Sequence, residues 1–133
     1  MIGRQTGQNA YSASYAFFVG ADAGKSATNA FASTFLGLQA GYQSTYASSS
    51  NFIGTQAGYQ ATYVDNANFL GLQAGYQASY AANSNFIGAK AGHGATNADN
   101  SNFIGYEAGS GSFSANYSNY IGYQAGTQAP NVS

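Results

Sequence analysis

Hydrophobic and polar residues recur along this chain with a strict period of seventeen residues. With Asn51 taken as repeat position 1, position 3 is always branched aliphatic, and positions 7, 11 and 14 are nearly always small or aliphatic. Glycine fills positions 4 and 8 in all eight repeats. A period too short for two helices predicts a solenoid. It forms one array over residues 1–133, with repeats that begin at residues 17, 34, 51, 68, 85, 102 and 119 after a partial repeat 1–16.

The glycine spacing makes helix unfavourable, because each glycine inside a helix costs about 1 kcal/mol relative to alanine. The sequence therefore predicts an all-β fold, a β-solenoid of eight 17-residue coils. Both glycine columns are predicted to form corners, where glycine accepts a positive φ without steric cost. Strands are predicted at positions 5 to 7, at positions 9 to 14 and around the Asn-Phe-Ile segment at the repeat boundary.

Four columns are predicted to form the core, because the interior of a narrow coil has to be closely packed with small or aliphatic groups. They are positions 3, 7, 11 and 14; position 3 holds Ile2, Val19, Leu36, Ile53, Leu70, Ile87, Ile104 and Ile121. All seven charged residues fall at positions 5, 6, 9 and 15, which are therefore expected to face solvent. Stacking of the coils is predicted to place Lys90 beside Glu107.

Position 2 is aromatic in seven repeats. Because it precedes a position assigned to the core, strand alternation predicts that it points outward. An exposed apolar stripe marks an interface, so this column is predicted to mediate self-association. The alternative is a corner that turns positions 2 and 3 both inward. The residues concerned are Phe18, Phe35, Phe52, Phe69, Phe86, Phe103 and Tyr120.

Composition narrows the choice of function. Only 5% of the residues are charged and the net charge is -1, so no basic surface is expected to hold nucleic acid. There is no apolar run of the roughly 20 residues that a membrane-spanning helix needs, and membrane insertion is not expected. The chain has no cysteine, which excludes disulfides and zinc–thiolate sites. The first residues lack the apolar core of a signal peptide, so any export signal is expected outside this sequence.

Catalytic chemistry has little support in the sequence. His93 is the only histidine, and no nucleophile accompanies it at a fixed spacing. Asp65 and Asp99 occupy position 15 in separate repeats and are expected to be solvated charges rather than an acid–base pair. Gly24-Lys25-Ser26 lacks the rest of a phosphate-binding loop. The chain is predicted not to be an enzyme and to need no metal or cofactor.

Two tyrosine columns form a possible ligand face, since aromatic rows can stack on sugar rings. They are Tyr42, Tyr59 and Tyr76 at position 9, and Tyr46, Tyr63 and Tyr80 at position 13. The alternative is that the tyrosines stack on one another or pack against a neighbouring chain. A threonine row at position 12 raises ice binding as a further hypothesis. It contains Thr28, Thr45, Thr62 and Thr96 and is interrupted by Tyr11, Ser79, Phe113 and Pro130.

The segment Asn68-Phe69-Leu70-Gly71-Leu72-Gln73-Ala74-Gly75-Tyr76-Gln77 resembles the N-T-F-I-G-x-Q-A-G repeats of bacterial and phage tail-fibre-like surface proteins. More distantly, it is similar to the head repeats of trimeric autotransporter adhesins. The resemblance covers the whole chain. It departs near position 15, where the glycine of those repeats is replaced by Ser14, Phe31, Ser48, Asp65, Ala82, Asp99, Asn116 and Ser133.

This resemblance implies a left-handed β-roll and three chains packed side by side. The predicted function is therefore a structural repeat module of an extracellular fibre, filament or surface adhesin, located outside the cell or on a virion fibre. The expected partner is a second copy of the chain, in a homotrimer or an end-to-end filament. The alternative is a binding module for surface glycan or ice.

Overall fold

A computed structural model describes residues 1–128, and these form the predicted all-β solenoid. Its strands join in one parallel sheet in chain order, and each residue pairs with the residue seventeen positions further on, as Phe52 does with Phe69. Pro130 of the threonine row lies outside the described residues. The strands are β1 (Phe17–Val19), β2 (Thr34–Leu36), β3 (Asn51–Ile53), β4 (Asn68–Leu70), β5 (Asn85–Ile87), β6 (Asn102–Ile104) and β7 (Asn119–Ile121).

The number of coils differs slightly from the prediction of eight. From β1 to β7 the described chain completes six full turns, and the first repeat adds one parallel bridge, from Ile2 to Val19. The strand predicted at the repeat boundary is confirmed. The strand predicted at positions 9 to 14 shrinks to a row of single bridges at position 12, such as Thr45 to Thr62. Positions 5 to 7 lie in a turn.

Turns dominate each coil because its backbone repeatedly enters the left-handed region. Successive amide–carbonyl bonds close three turns in the third coil: Ala57 N to Gly54 O (3.2 Å), Tyr59 N to Gln56 O (3.2 Å) and Ala61 N to Gly58 O (3.1 Å). Both glycine columns are corners, as predicted, but side-chain-bearing residues occupy four further positive-φ positions. In this coil the positive-φ residues are Gly54, Gln56, Gly58, Gln60, Tyr63 and Asn66. A left-handed residue with a side chain costs roughly 1–2 kcal/mol, so stacking between coils has to offset this strain.

The two glycine columns are required for different reasons. At position 4, a Cβ added to Gly71 would lie 2.7 Å from the carbonyl carbon of Gly88, so the coils stack backbone to backbone there. At position 8, a Cβ added to Gly24 would lie 2.6 Å from Cδ2 of Phe18. The first column therefore lets neighbouring coils approach, and the second leaves room for an aromatic ring inside the coil.

That ring belongs to position 2, and the prediction that this column points outward is wrong. Six phenylalanines have no exposed surface, and the seventh aromatic residue, Tyr120, packs against them. The glycine six residues further on creates the space that a narrow coil otherwise lacks. Buried within a single chain, these residues cannot form the predicted self-association stripe. The residues that were predicted to point outward and lie inside instead are Phe18, Phe35, Phe52, Phe69, Phe86, Phe103 and Tyr120.

Position 3 is correspondingly not part of the core. Its aliphatic side chains point to the outside of β1–β7, and Ile53 is 37% exposed. The assignment of positions 7, 11 and 14 to the core is confirmed by fully buried residues such as Ala57, Ala61 and Val64. Alternation along the strand does hold, since positions 2 and 3 face opposite ways. The prediction had their directions reversed.

Position 17 adds a buried column that the sequence reading missed. Ser50 Oγ donates to the carbonyl oxygen of Val64 (2.7 Å) and accepts from the amide of Ala67 (3.1 Å). Ser33, Ser84 and Ser101 occupy equivalent buried sites. A small hydroxyl with a donor and an acceptor role satisfies backbone groups between coils, so the polar atom is buried at little cost.

Candidate functional site

The tyrosines of position 9 form a continuous aromatic ladder along the rod. Tyr42 and Tyr59 have ring centroids 5.0 Å apart, and Tyr59 and Tyr76 are 4.9 Å apart, with ring planes within 7° of parallel. His93 extends the stack at 5.0 Å from Tyr76. These side chains are half-buried. The lone histidine is thus the last ring of a structural ladder.

The tyrosines of position 13 form a second and more exposed ladder. Tyr46 and Tyr63 lie 4.8 Å apart, and Tyr63 and Tyr80 lie 4.9 Å apart, both pairs within 6° of parallel. Tyr63 is 46% exposed. The structure thus brings each predicted set of three tyrosines together, and both sets stack upon themselves, as the alternative interpretation proposed.

This stacking decides what the tyrosines offer to a ligand. Because neighbouring rings are parallel and follow one another along the rod, each face of an inner ring is turned toward the next ring. A ligand approaching from the side meets ring edges and hydroxyl groups, and extensive stacking on a ring face is restricted to the ends of each ladder. Burial raises the pKa of Tyr59, as do its neighbours Tyr76 and Tyr42. The raised pKa favours the neutral hydroxyl of Tyr59.

The threonine row lies on the bridge line of position 12. Parallel bridges run from Tyr11 through Thr28, Thr45, Thr62, Ser79 and Thr96 to Phe113. It is one residue wide, because the side chains of positions 11 and 14 point into the core and position 13 carries the exposed tyrosines. At its far end Thr96 Oγ1 is buried without a hydrogen-bond partner beside the bulky Phe113. The structure thus gives one short hydroxyl row rather than two parallel rows.

The charged residues form surface contacts between coils. Lys90 Nζ lies 3.8 Å from Glu107 Oε1, as predicted from the stacking. Gln124 donates to Glu107 Oε2 at 2.8 Å. This hydrogen bond is the main cause that lowers the pKa of Glu107, and Tyr106, Lys90 and His93 lower it further. Glu107 is partly buried and Lys90 is more exposed, so these contacts have the character of a surface network.

The two aspartates at position 15 are hydrogen-bond acceptors for the backbone of the preceding coil. Asp65 Oδ1 accepts from the amide of Ser48, and Asp99 Oδ1 accepts from the amide of Ala82, each at 2.7 Å. Each carboxylate thus satisfies a backbone donor at the edge of the coil. Both aspartates therefore have a structural role. They lie two repeats apart, and each acts on its own neighbouring coil.

One flank of the rod is exposed and apolar, and one of its two rows, at position 3, was predicted to lie in the core. We call it the aliphatic flank; it comprises the outward residues of positions 3 and 5 on either side of the position-4 glycine. Leu38 and Leu72 at position 5 are each 50% exposed. The flank contains Val19, Leu36, Ile53, Leu70, Ile87, Ile104 and Ile121 in one row and Ala21, Leu38, Thr55, Leu72, Ala89, Tyr106 and Tyr123 in the other.

A signal for this flank was present in the sequence. Positions 1 and 3 of a strand face the same way, and position 1 is asparagine in five successive coils. An inward position 3 would therefore have buried an asparagine column instead of a phenylalanine column. In the structure the asparagines form an outer amide ladder, with Asn51 Nδ2 donating to Asn68 Oδ1 and Asn68 to Asn85 at 2.8 Å.

Comparison of the chain with protein-family models, curated proteins and solved structures found no match. Residues 1–128 contain no group of three or more metal-ligating side chains arranged to hold a metal ion. In the same part of the chain, no helix has the length and apolarity that crossing a membrane requires.

Proposed function

We propose that this chain is a non-enzymatic structural repeat module of an extracellular fibre, filament or surface adhesin. The observation that carries the proposal is the phenylalanine stack, which runs unbroken along the inside of the rod. Ring centroids from Phe18 to Phe103 are 4.6–5.0 Å apart. Such a coil is stabilised almost entirely by its neighbours, so its stability grows with the length of the rod.

The outer ladders support the same role. Gln73 Nε2 donates to Gln56 Oε1, and Gln77 Nε2 donates to Gln60 Oε1, while the asparagine ladder runs along another row. Amides and hydroxyls do not titrate in the ordinary pH range, and the chain has only seven formal charges. A rod built from them should keep its shape in surroundings of changing pH and salt, which suits a protein exposed outside the cell.

Antibody labelling tests this proposal. Antibodies raised against the chain should label intact source cells or particles without permeabilisation, and electron microscopy should show the label along fibres or surface projections. Labelling that requires permeabilisation would place the chain inside the cell and contradict the proposal. A cytosolic protein expressed in the same cells serves as the control for membrane integrity.

A second candidate function is binding of surface glycan or ice, and the two tyrosine ladders favour it. They present rows of hydroxyls about 5 Å apart beside the threonine row. We expect such a face to bind through hydrogen bonds to ring edges and hydroxyls. A glycan array and a thermal-hysteresis assay test the two ligands, with the triple substitution Tyr46→Ser, Tyr63→Ser and Tyr80→Ser as the control. No signal above this variant in either assay would eliminate the binding function.

A further inference from the structure

We infer that the aliphatic flank pairs two copies of this chain in antiparallel orientation, about a two-fold axis between the coils of Thr55 and Leu72. The inference deepens the proposed structural role by naming the partner, its orientation and the surface that it uses. It depends on the self-association of the chain but not on the location of the protein. The two proposals therefore fail in different experiments.

The chemistry of the flank selects an apolar partner. Ile53, Ile87 and Ile104 keep more than a third of their surface exposed. The neighbouring asparagine amides bond to one another along the rod, so each already has a partner within the chain. No charged side chain lies in the position-5 row between Ala21 and Tyr123. A surface with exposed hydrocarbon, internally bonded amides and no charge at its centre suits an identical surface.

The sizes of the position-5 side chains favour antiparallel pairing. Large and small residues alternate from coil to coil, in the order Leu38, Thr55, Leu72 and Ala89. When one copy is reversed about the proposed axis, Leu38 faces the Ala89 of the second copy, and Thr55 faces its Leu72. One coil further out, Ala21 faces Tyr106. Each large side chain then meets a small one, which is the condition for close packing across an interface.

Parallel pairing lacks this match. In a parallel pair the second copy is turned about the rod axis, so each position-5 row faces the position-3 row of the partner, which is branched aliphatic in every coil and cannot match the alternation from Leu38 to Ala89. Displacing the parallel copy by whole coils does not help, because the position-3 row is uniform. The antiparallel pair is isologous and closed, the arrangement that most homodimers adopt. At its outer end Arg4 would face Tyr123, a cation–π contact between two exposed side chains.

The size of the flank indicates a reversible dimer. Six steps of about 4.8 Å give a length of roughly 30 Å, and the distance across positions 1 to 5 gives a width of roughly 15 Å. Two copies therefore bury close to 1,000 Å², at the lower limit of specific interfaces. We expect a dissociation constant in roughly the micromolar range, so the monomer and dimer should both be observable.

Engineered cysteines test the orientation, because the chain has no cysteine of its own. In the double variant Leu38→Cys, Ala89→Cys, the two thiols lie three coils apart in one chain, roughly 14 Å, so no bond forms within it. Mild oxidation by oxygen with a copper catalyst removes two electrons and two protons from each pair of facing thiols and forms a disulfide. The antiparallel pair predicts a covalent dimer of the double variant on non-reducing gels.

The single variants are matched controls for this experiment. Neither Leu38→Cys nor Ala89→Cys alone should give more than a few per cent of covalent dimer, since each thiol faces a leucine or an alanine. Efficient cross-linking of Leu38→Cys alone would show that Leu38 meets the same residue of the second copy instead of Ala89, and would overturn the inference. Absence of covalent dimer in the double variant, with its solenoid circular dichroism retained, would overturn it as well.

A second measurement tests the surface itself. Ile53→Lys should weaken the dimer at least about 30-fold in sedimentation equilibrium, because it places two charges in the apolar interface. Tyr63→Lys, at a comparably exposed site on another flank, should leave the dissociation constant within about twofold. The inference is overturned if the unmodified chain stays monomeric at hundreds of micromolar, or if only Tyr63→Lys disrupts the dimer.

Discussion

The phenylalanine column and the tyrosine ladders use the same stacking on opposite sides of the coil wall. Phe52 and Phe69 have centroids 5.0 Å apart, and Tyr63 and Tyr80 have centroids 4.9 Å apart. Phe69 is fully buried, whereas Tyr80 is half exposed. The spacing of the coils thus sets the distance between rings in both places. The difference in burial determines which stack holds the fold together and which remains available to a partner.

The largest effect should come from removing a ring of the inner stack. Phe69→Ala deletes a fully buried ring and leaves a cavity in the middle of the rod. We expect the free energy of unfolding to fall by about 3–5 kcal/mol, as for other buried aromatic residues. Urea denaturation followed by circular dichroism measures this change. A loss below about 1 kcal/mol would contradict a core position for this residue.

A crowded glycine and an uncrowded one allow a sharper comparison. Gly71→Ala adds a methyl group against the backbone of Gly88 at a φ of 136°, and we expect a loss of about 3 kcal/mol. Gly94→Ala is the matched control, because its Cβ would meet nothing within 4 Å. Its φ of 66° should cost only about 1–2 kcal/mol. Equal losses in the two variants would be incompatible with backbone stacking at position 4.

Removing a ring of the outer ladder should have a smaller effect. Tyr63→Ala breaks two ring pairs, with Tyr46 and with Tyr80. Each pair is worth roughly 0.5–1.5 kcal/mol, so the free energy of unfolding should fall by about 1–2 kcal/mol. Differential scanning calorimetry of Tyr63→Ala and Phe69→Ala compares the losses of stability in the two variants. If Tyr63→Ala were the more destabilising of the two, the contrast between the inner and outer stacks would be wrong.

The smallest effect should be that of pH. The folded state lowers the pKa of Glu107, so its contribution is present above its unfolded pKa and is lost as pH falls through the folded value. Burial raises the pKa of Tyr59, so its contribution is present below its unfolded pKa and is lost as pH rises through the folded value. The melting temperature should therefore stay nearly constant between about pH 5 and pH 9. A marked change inside this window would show that titrating groups carry more of the stability.

Much of the fold follows from the period alone. Seventeen-residue spacing predicts parallel stacking, and the uniformly small residues at positions 7, 11 and 14, such as Ala74, Ala78 and Ala81, identify most of the core. Alternation also shows that positions 2 and 3 face opposite ways. It does not say which faces inward, and the assumption that a narrow coil excludes phenylalanine gave the wrong choice. The position-8 glycine, which makes room for the ring, supplies the missing information.

The candidate surfaces were harder to predict than the fold. The tyrosine ladders follow from their columns, but the direction of the rings depends on stacking, which repeat position alone does not specify. The left-handed residues Gln56, Gln60 and Tyr63 are also unpredictable from local preference, because none of them favours a positive φ. Contacts between coils hold them there. The aliphatic flank was missed because the prediction exchanged the inward and outward positions of the strand, which moves every side chain to the opposite face.

Solvent paramagnetic relaxation enhancement, measured by nuclear magnetic resonance, tests most directly whether the phenylalanines face inward and the isoleucines outward. A soluble gadolinium chelate broadens the signals of side chains that it can approach. The ring signals of Phe52, Phe69 and Phe86 should stay sharp, while the methyl signals of Ile53 and Ile87 should broaden. Broadened phenylalanine rings together with protected isoleucine methyl groups would reverse the two faces of the strand and contradict the account.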